Sequence, residues 1–316
     1  MTVTEYLDEW IELQRFRLQP GTWGAYRQTI ACYLAPAFGD TPLDGLDPML
    51  LEQMYAGLLV HGGRGGRRLA LGTIRYIHAV LHKALADAVR TGLLQTNVGD
   101  RVALPRRAPE RTNLDDRLRV WTAAQVRSFL RLTRDDPHHD LWAVALGTGM
   151  RRGELLGLRW QDVVPDQRTI RVATSLTMID GQPRLKTTKT NHVRRLHVDA
   201  HTAAAIERQH RRGVEAISDN ELDLVFAEES GQPLIPQRIT HRFRRLVRSL
   251  PLPTIRLHDV RHTHATLLLQ AGVPIKVVSE RLGHANITVT LDTYTHVLPA
   301  MDRDAADRFS TIIADT

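Results

Sequence analysis

Cysteine occurs once in the 316 residues, at Cys32. A single thiol excludes an internal disulfide and any metal site built on paired cysteines. Set in an apolar helical pattern, Cys32 is expected to be a small core residue. No apolar run approaches the ~20 residues that a membrane-spanning helix requires. The N-terminal MTVTEYLDEW carries acidic residues where a signal peptide would place a basic and then an apolar region. A soluble, cytoplasmic chain with no membrane partner is therefore expected. Low-complexity tracts and internal repeats are lacking, and acid is the minority charge. The 42 Lys and Arg against 35 Asp and Glu leave a net charge of +7, which favours polyanionic partners. That surplus carries weight only once the positive side chains have a place.

Residues 1–100 read as four helices on short links, an all-helical domain. Leu7, Trp10, Ile11 and Leu13 form the apolar face of the first, Thr4 to Leu18. A second begins near Thr22, lines up Trp23, Tyr26, Ile30, Tyr33 and Leu34, and ends at Phe38-Gly39-Asp40. The third, about Asp47 to Leu59, shows Leu50, Leu51, Met54, Tyr55 and Leu58. The fourth, about Thr73 to Thr91, shows Ile77, Val80, Leu81, Ala84, Leu85 and Ala88 and stops at Gly92. Between the last two, a glycine-arginine loop holds Arg67 and Arg68. It reads either as a flexible turn or as a contact for phosphate. A basic, proline-containing linker with Arg106 and Arg107 occupies residues 101–117. It is either a solvated hinge or a segment that tracks a phosphate backbone.

The remainder, residues 118–316, is α-rich with a small antiparallel sheet. Thr122 to Gln125 forms a capping box for a helix to about Leu132. Helices follow near 141–146, 152–158, 202–211, 237–250, 258–270 and 274–281. Thr169–Thr174 and Arg194–Val198 are expected as short strands flanking a turn-rich stretch that holds Lys186 and Lys189. Met301 to Ile313 reads as an amphipathic helix, packed on its own domain or docked on a neighbouring copy.

Two segments carry chemistry. One is GTGMRRGELLGLRW with Arg151 and Glu154; the other runs HDVRHTHATLLLQAGV, then LGHANITVTLDTYTHV, with His258, Arg261, His284 and Tyr294. A phosphodiester resists nucleophiles because its non-bridging oxygens share a negative charge. The planar, permanently charged guanidinium matches that group best, and two of them stabilise the extra charge of a pentacovalent transition state. A Tyr hydroxyl, with a pKa of about 10, attacks only if its proton is removed. His258 could take that proton or bond the phosphate; His284 could hold an oxygen. A Lys on a hairpin suits the leaving 5′-oxygen. His258, His262 and nearby His264 could instead hold a metal. No acidic or Cys ligand stands beside them and Arg261 would oppose a cation, so no metal and no cofactor are expected. Taken singly, Arg151 could be a solvated helix start, Gly283 a plain helix cap and Tyr294 a half-buried core residue. The conjunction of elements, in order and in one basic chain, argues for a site.

These segments closely resemble the tyrosine recombinases, the phage-integrase family, and the resemblance covers essentially the whole chain. It implies a SAM-like core-binding domain followed by a catalytic domain, with Arg151, His258, Arg261 and His284 catalytic, Glu154 supporting and Tyr294 the nucleophile. It places the catalytic Lys in a β-hairpin shortly before a strand. Lys189, five residues before Arg194, fits that spacing better than Lys186. His264 stands where an aromatic residue is common, and packing is its expected role. An arm-site-binding domain, which fuller integrases carry, is not expected within these residues.

The implied function is site-specific recombination of double-stranded DNA through a 3′-phosphotyrosine and a Holliday junction, serving a mobile element. A homo-tetramer on DNA, with an accessory DNA-bending or directionality factor, would carry it out. A DNA-binding protein without catalysis and a DNA-relaxing enzyme of the type IB topoisomerase kind are the rivals.

Overall fold

A computed structural model describes residues 1–63, 65–105, 119–179, 181–187, 193–215, 220–294, 309, 310 and 313. The chain divides into two compact units, Met1–Arg111 and Thr112–Thr316. Neither contains, among the described residues, a helix long and apolar enough to cross a membrane.

The first unit is helical. Helix α1 (Val3–Gln14) starts at a capping box: Thr2 Oγ1 accepts from the Glu5 amide, and the Glu5 carboxylate accepts from the Thr2 amide. Its buried face is Leu7, Trp10, Ile11 and Gln14, whereas Leu13 is 65% exposed. Gln14 displaces Leu13 from the expected face because it lies one turn beyond Trp10, and both side chains donate to Asp87. Helix α2 (Pro20–Thr29) passes through a π turn, Ile30–Leu34, into α3 (Ala35–Phe38). Within the turn Ile30 and Leu34 are buried and Cys32, midway between them, is exposed. The expectation of a core cysteine is thus overturned: a residue two positions from each buried neighbour points to the opposite side of a helix. Helices α4 (Pro48–His61) and α5 (Leu71–Arg90) complete the unit, α5 burying Ile74, Ile77, Val80, Leu81, Ala84, Leu85 and Ala88. Arg67 and Arg68 lie exposed between them, Arg67 paired with Gly63 in an isolated antiparallel bridge. Arg106 and Arg107 fall outside the described residues.

In the second unit α6 (Ala123–Leu132) opens on the Thr122–Gln125 capping box, with both reciprocal bonds formed. Helices α7 (His139–Thr148) and α8 (Arg152–Leu156) follow. Strands β1 (Val163–Val164), β2 (Thr169–Val172) and β5 (Arg194–His197) make an antiparallel sheet in the order β1-β2-β5. Between β2 and β5 the chain forms a separate hairpin, β3 (Thr174–Ile179) with β4 (Gln182–Thr187), pairing Ser175 with Lys186. This hairpin replaces the turn-rich stretch expected there. Then come α9 (Ala200–Glu215), α10 (Pro236–Ser249), α11 (Leu257–Gln270), α12 (Ile275–Leu282) and α13 (Ile287–Tyr294). The main core gathers Trp121, Phe129, Trp142 and Phe243 with aliphatic side chains of the sheet and helices. A smaller cluster, Ala265, Leu269, Val278, Leu282 and Tyr294, joins α11, α12 and α13.

Candidate active site

Two left-handed glycines shape the site. Gly149 caps α7 at φ +64°, and a Cβ there would meet His264 Cδ2 at 2.7 Å. Gly283 caps α12 at φ +69°, and a Cβ there would lie 2.8 Å from Arg194 Nη1. Only glycine satisfies both the backbone and the space. The turns aim carbonyls at the two arginines predicted to bind phosphate. Arg261 donates from Nη1 to Gly149 O at 2.9 Å and from Nη2 to Leu282 O at 2.7 Å. Arg151 donates from Nη2 to Gly283 O at 3.1 Å. Consecutive carbonyls of one turn therefore hold both guanidinium groups, although Arg151 and Arg261 are far apart in sequence.

Glu154 fixes the other side. It caps the start of α8 by accepting from the Arg151 amide at 2.9 Å and from Arg151 Nη1 at 2.8 Å. Arg194 on β5 donates to the same carboxylate at 2.7 and 3.2 Å and reaches Arg281 O with Nε. Burial opposes ionisation of Glu154, but the hydrogen bonds and charges of Arg194 and Arg151 outweigh it, and its carboxyl titrates below the ordinary range. Arg194 is a site residue that sequence reasoning missed; it had marked only the start of a strand. Burial, then the charge of Arg151, pushes Arg261 down to about 9, which leaves it cationic at neutral pH.

Gly153 and Gly157 let β3 approach α8: a Cβ on them would meet Ser175 Oγ at 2.5 Å and the Leu176 amide at 2.7 Å. The hairpin is thereby seated beside the helix that carries Arg151. Lys186 lies on β4 of that hairpin; Lys189 falls outside the described residues. Arg152 donates to Thr240 Oγ1 at 2.7 Å and so ties α8 to α10.

The histidines divide by surroundings. His264 bonds Leu146 O through Nδ1 and accepts from Arg281 Nε at Nε2, so both ring nitrogens serve packing. His284 bonds buried Thr290 through Nδ1 at 2.7 Å. Burial, then the charges of Arg261 and Arg151, lowers His284 to about 4, which keeps its ring neutral. His258 is exposed in the first turn of α11. Among the described residues no group of three or more His, Cys, Asp and Glu is arranged to hold a metal ion.

Tyr294 ends α13 and is 1% exposed. Its hydroxyl lies 2.9 Å from Nδ1 of His262, not from His258, the residue considered for its proton. Burial pushes the phenol up to about 12, against a lowering pull from Arg261. The sequence thus names the nucleophile candidate but misses its partner. The i,i+4 spacing of His258 and His262 was legible; which of them faces α13 was not.

Outside this cluster, α10 exposes Arg238, His241, Arg244, Arg245 and Arg248 and contains no acidic residue. Its buried face is Ile239, Phe243 and Val247. The basic stripe was not among the expected DNA contacts, because an apolar period read for helicity says nothing of the opposite face.

Gly283→Ala is expected to destabilise the second unit by about 1–2 kcal/mol from the left-handed backbone alone, and to slow catalysis by displacing Arg194. Thermal denaturation should show a fall of several degrees; an unchanged midpoint would contradict this account of the turn.

The sequence pattern described as Phage integrase family matches residues 119–301, and that of a phage integrase N-terminal SAM-like domain matches residues 2–59. A XerC-like tyrosine recombinase of Caldanaerobacter subterraneus is 25% identical, over 99% of this chain and 83% of that protein. The integrase of Mycobacterium phage D29 is 27% identical, over 100% of this chain and 80% of its own. Among solved structures, the Tn1549 transposon integrase in complex with transposon right end DNA superposes with a TM-score of 0.79 at 25% identity, covering 98% of this chain and 100% of that one. A lambda integrase tetramer bound to a Holliday junction shares the fold at a TM-score of 0.66 and 19% identity, covering 91% and 79%.

Proposed function

The chain belongs to the phage integrase family and is a site-specific DNA recombinase, and from that premise we propose that Tyr294 opens the DNA backbone at a phosphate held by Arg151 and Arg261. The observation that carries this reading is the convergence of both guanidinium groups on the Leu282–Gly283 turn, next to His284 and to the cluster that contains Tyr294. Tyr294 Oη attacks phosphorus, the bond to the 5′-oxygen breaks, and a 3′-phosphotyrosine forms. The two arginines neutralise the non-bridging oxygens, with His258 and His284 as further hydrogen-bonding groups. The departing 5′-oxygen takes a proton from a lysine, assigned to Lys189. The new ester is close in energy to the old one, so rejoining to a second 5′-hydroxyl needs no ATP. With two guanidinium groups on the phosphate, no metal is required.

Residues 1–100 are assigned to core-site binding, 118–316 to catalysis and 101–117 to the link between them. Four copies would join two duplexes through a Holliday junction on a mobile element, acting in the cytoplasm where such DNA resides, with an accessory factor setting direction. Trapping on a suicide duplex, followed by identification of the DNA-linked peptide, tests the reaction. The linked residue should be Tyr294; a linkage elsewhere overturns the assignment.

For DNA binding, α10 joins Arg67, Arg68, Arg106 and Arg107 as a candidate. Its exposed arginines suit phosphates, which position a protein without reading sequence. Arg244→Ala with Arg245→Ala should weaken binding to specific and unrelated duplexes alike. The slope of log affinity against log salt should become shallower by about 0.9 for each phosphate that the variant no longer neutralises. An unchanged slope would remove α10 from the interface.

A further inference from the structure

Tyr294 cannot act while it keeps its proton, and its surroundings make that proton hard to lose. The ring packs among Ala265, Leu269, Val278 and Leu282, where a phenolate would be poorly solvated. His262 Nδ1 lies 2.9 Å from the phenolic oxygen, and in the tautomer protonated on Nε2 it accepts the O–H. That is hydrogen-bond distance for direct transfer. The geometry is held from both sides. His262 stands one helical turn beyond His258, whose ring meets it edge-on at 5.0 Å between centroids, and Tyr294 is fixed by its place in the small core.

We propose that His262 is a further catalytic residue: its Nδ1 takes the phenolic proton of Tyr294 as the oxygen attacks. This rests on the reading of Tyr294 as the nucleophile. In the forward step the Oη–P bond forms, the P–O5′ bond breaks and the phenolic proton passes to Nδ1, while the departing 5′-oxygen is protonated by the assigned lysine. On religation the imidazolium returns its proton to the phenolic oxygen. His258, exposed at the start of α11, is then left to the phosphate.

The electrostatics fit an acceptor. Among the described residues, the charged and titratable groups around His262 include Arg256, His258, Asp259 and Arg261 of α11 and its cap, His284 on the Gly283 turn, and Tyr294 of α13. Burial, then His258, holds the ring at about 4 against the opposing pull of Asp259. It therefore presents a lone pair at neutral pH. A phosphate seated on Arg151 and Arg261 would bring negative charge nearby and raise its basicity when the proton moves.

The test uses the full chain and a suicide duplex bearing its own site, recovered from a randomised duplex pool by adduct formation. Single-turnover rates are compared for the wild type, His262→Asn, His262→Phe and Tyr294→Phe. Both His262 variants should bind the duplex as the wild type does and form adduct about 10²–10³-fold more slowly. Their rates should climb about tenfold per pH unit, because phenolate must then form unaided, while the wild-type rate stays flat between about pH 6 and 9. A merely structural role would lower the rate without changing its pH profile. Rates within about twofold of wild type, a loss with an unchanged profile, or faster adduct formation would each overturn the proposal. An adduct persisting in Tyr294→Phe would instead remove the nucleophile assignment on which it rests. Should the variants not fold, nitrogen NMR of the wild-type histidines decides. Nδ1 of His262 should be unprotonated and shift in Tyr294→Phe; a protonated Nδ1 contradicts the role.

Discussion

Tyr294→Phe should bind its DNA as tightly as the parent chain and form no covalent complex with it. The change removes one oxygen and keeps the ring, so the packing against Ala265, Leu269, Val278 and Leu282 survives. The structural loss includes the hydrogen bond to His262, a matter of about 1 kcal/mol. What is lost chemically is the oxygen proposed to attack, and removal of a nucleophile costs on the order of 10⁶-fold where it has been measured in enzymes. The two scales differ so widely that a small stability effect cannot be mistaken for the catalytic one. Single-turnover trapping on a suicide duplex, with affinity measured alongside, separates them. Covalent complex at even a hundredth of the parental rate would end the assignment.

Arg261→Lys carries the second largest effect. Arg261 is 4% exposed and bonds Gly149 O and Leu282 O. A lysine has a single ammonium at the end of a flexible stem and cannot reproduce that planar fork. Losing one donor aimed at developing charge typically slows an enzyme by about 10²–10³-fold. Stability should fall too, by about 1–3 kcal/mol, because a buried carbonyl is left without its donor. Arg151→Lys provides the contrast. Its side chain is 37% exposed, so water can replace the missing bond, and the rate should drop with little change in unfolding midpoint. Adduct rates and thermal midpoints for the pair check this. Equal destabilisation by both would show that burial does not separate their roles.

How far the site could be read from sequence follows from what each residue contributes. Arg151, Glu154, His258, Arg261, His284 and Tyr294 stand in short segments with complementary chemistry, so as candidates they are legible together, whereas each taken singly also suits a structural role. Helix α13 was not, because Ile287–Tyr294 is crowded with β-branched residues that disfavour a helix locally. Burial of Thr290 and Tyr294, one turn apart, offsets that local cost. The strands of the β3–β4 hairpin are not legible from the residues, where only the resemblance implies a hairpin, for a related reason. Its strands do not alternate cleanly between apolar and polar, and what seats it is the close approach allowed by Gly153 and Gly157. Cys32 and Leu13 failed as core residues because a face is defined by the neighbour it meets.

By itself the sequence determined the family and supplied the candidates for a phosphate clamp and for an attacking oxygen. Those are properties of the side chains themselves, whereas their burial (Tyr294 is 1% exposed and Arg261 4%) is a matter of the fold. Only the tertiary structure decided that Gly283 turns its neighbouring carbonyls toward two distant arginines, that Arg194 shares Glu154, and that His262 rather than His258 meets the phenol. Such choices depend on helix rotation and approach, which many side chains fix jointly and no local spacing records.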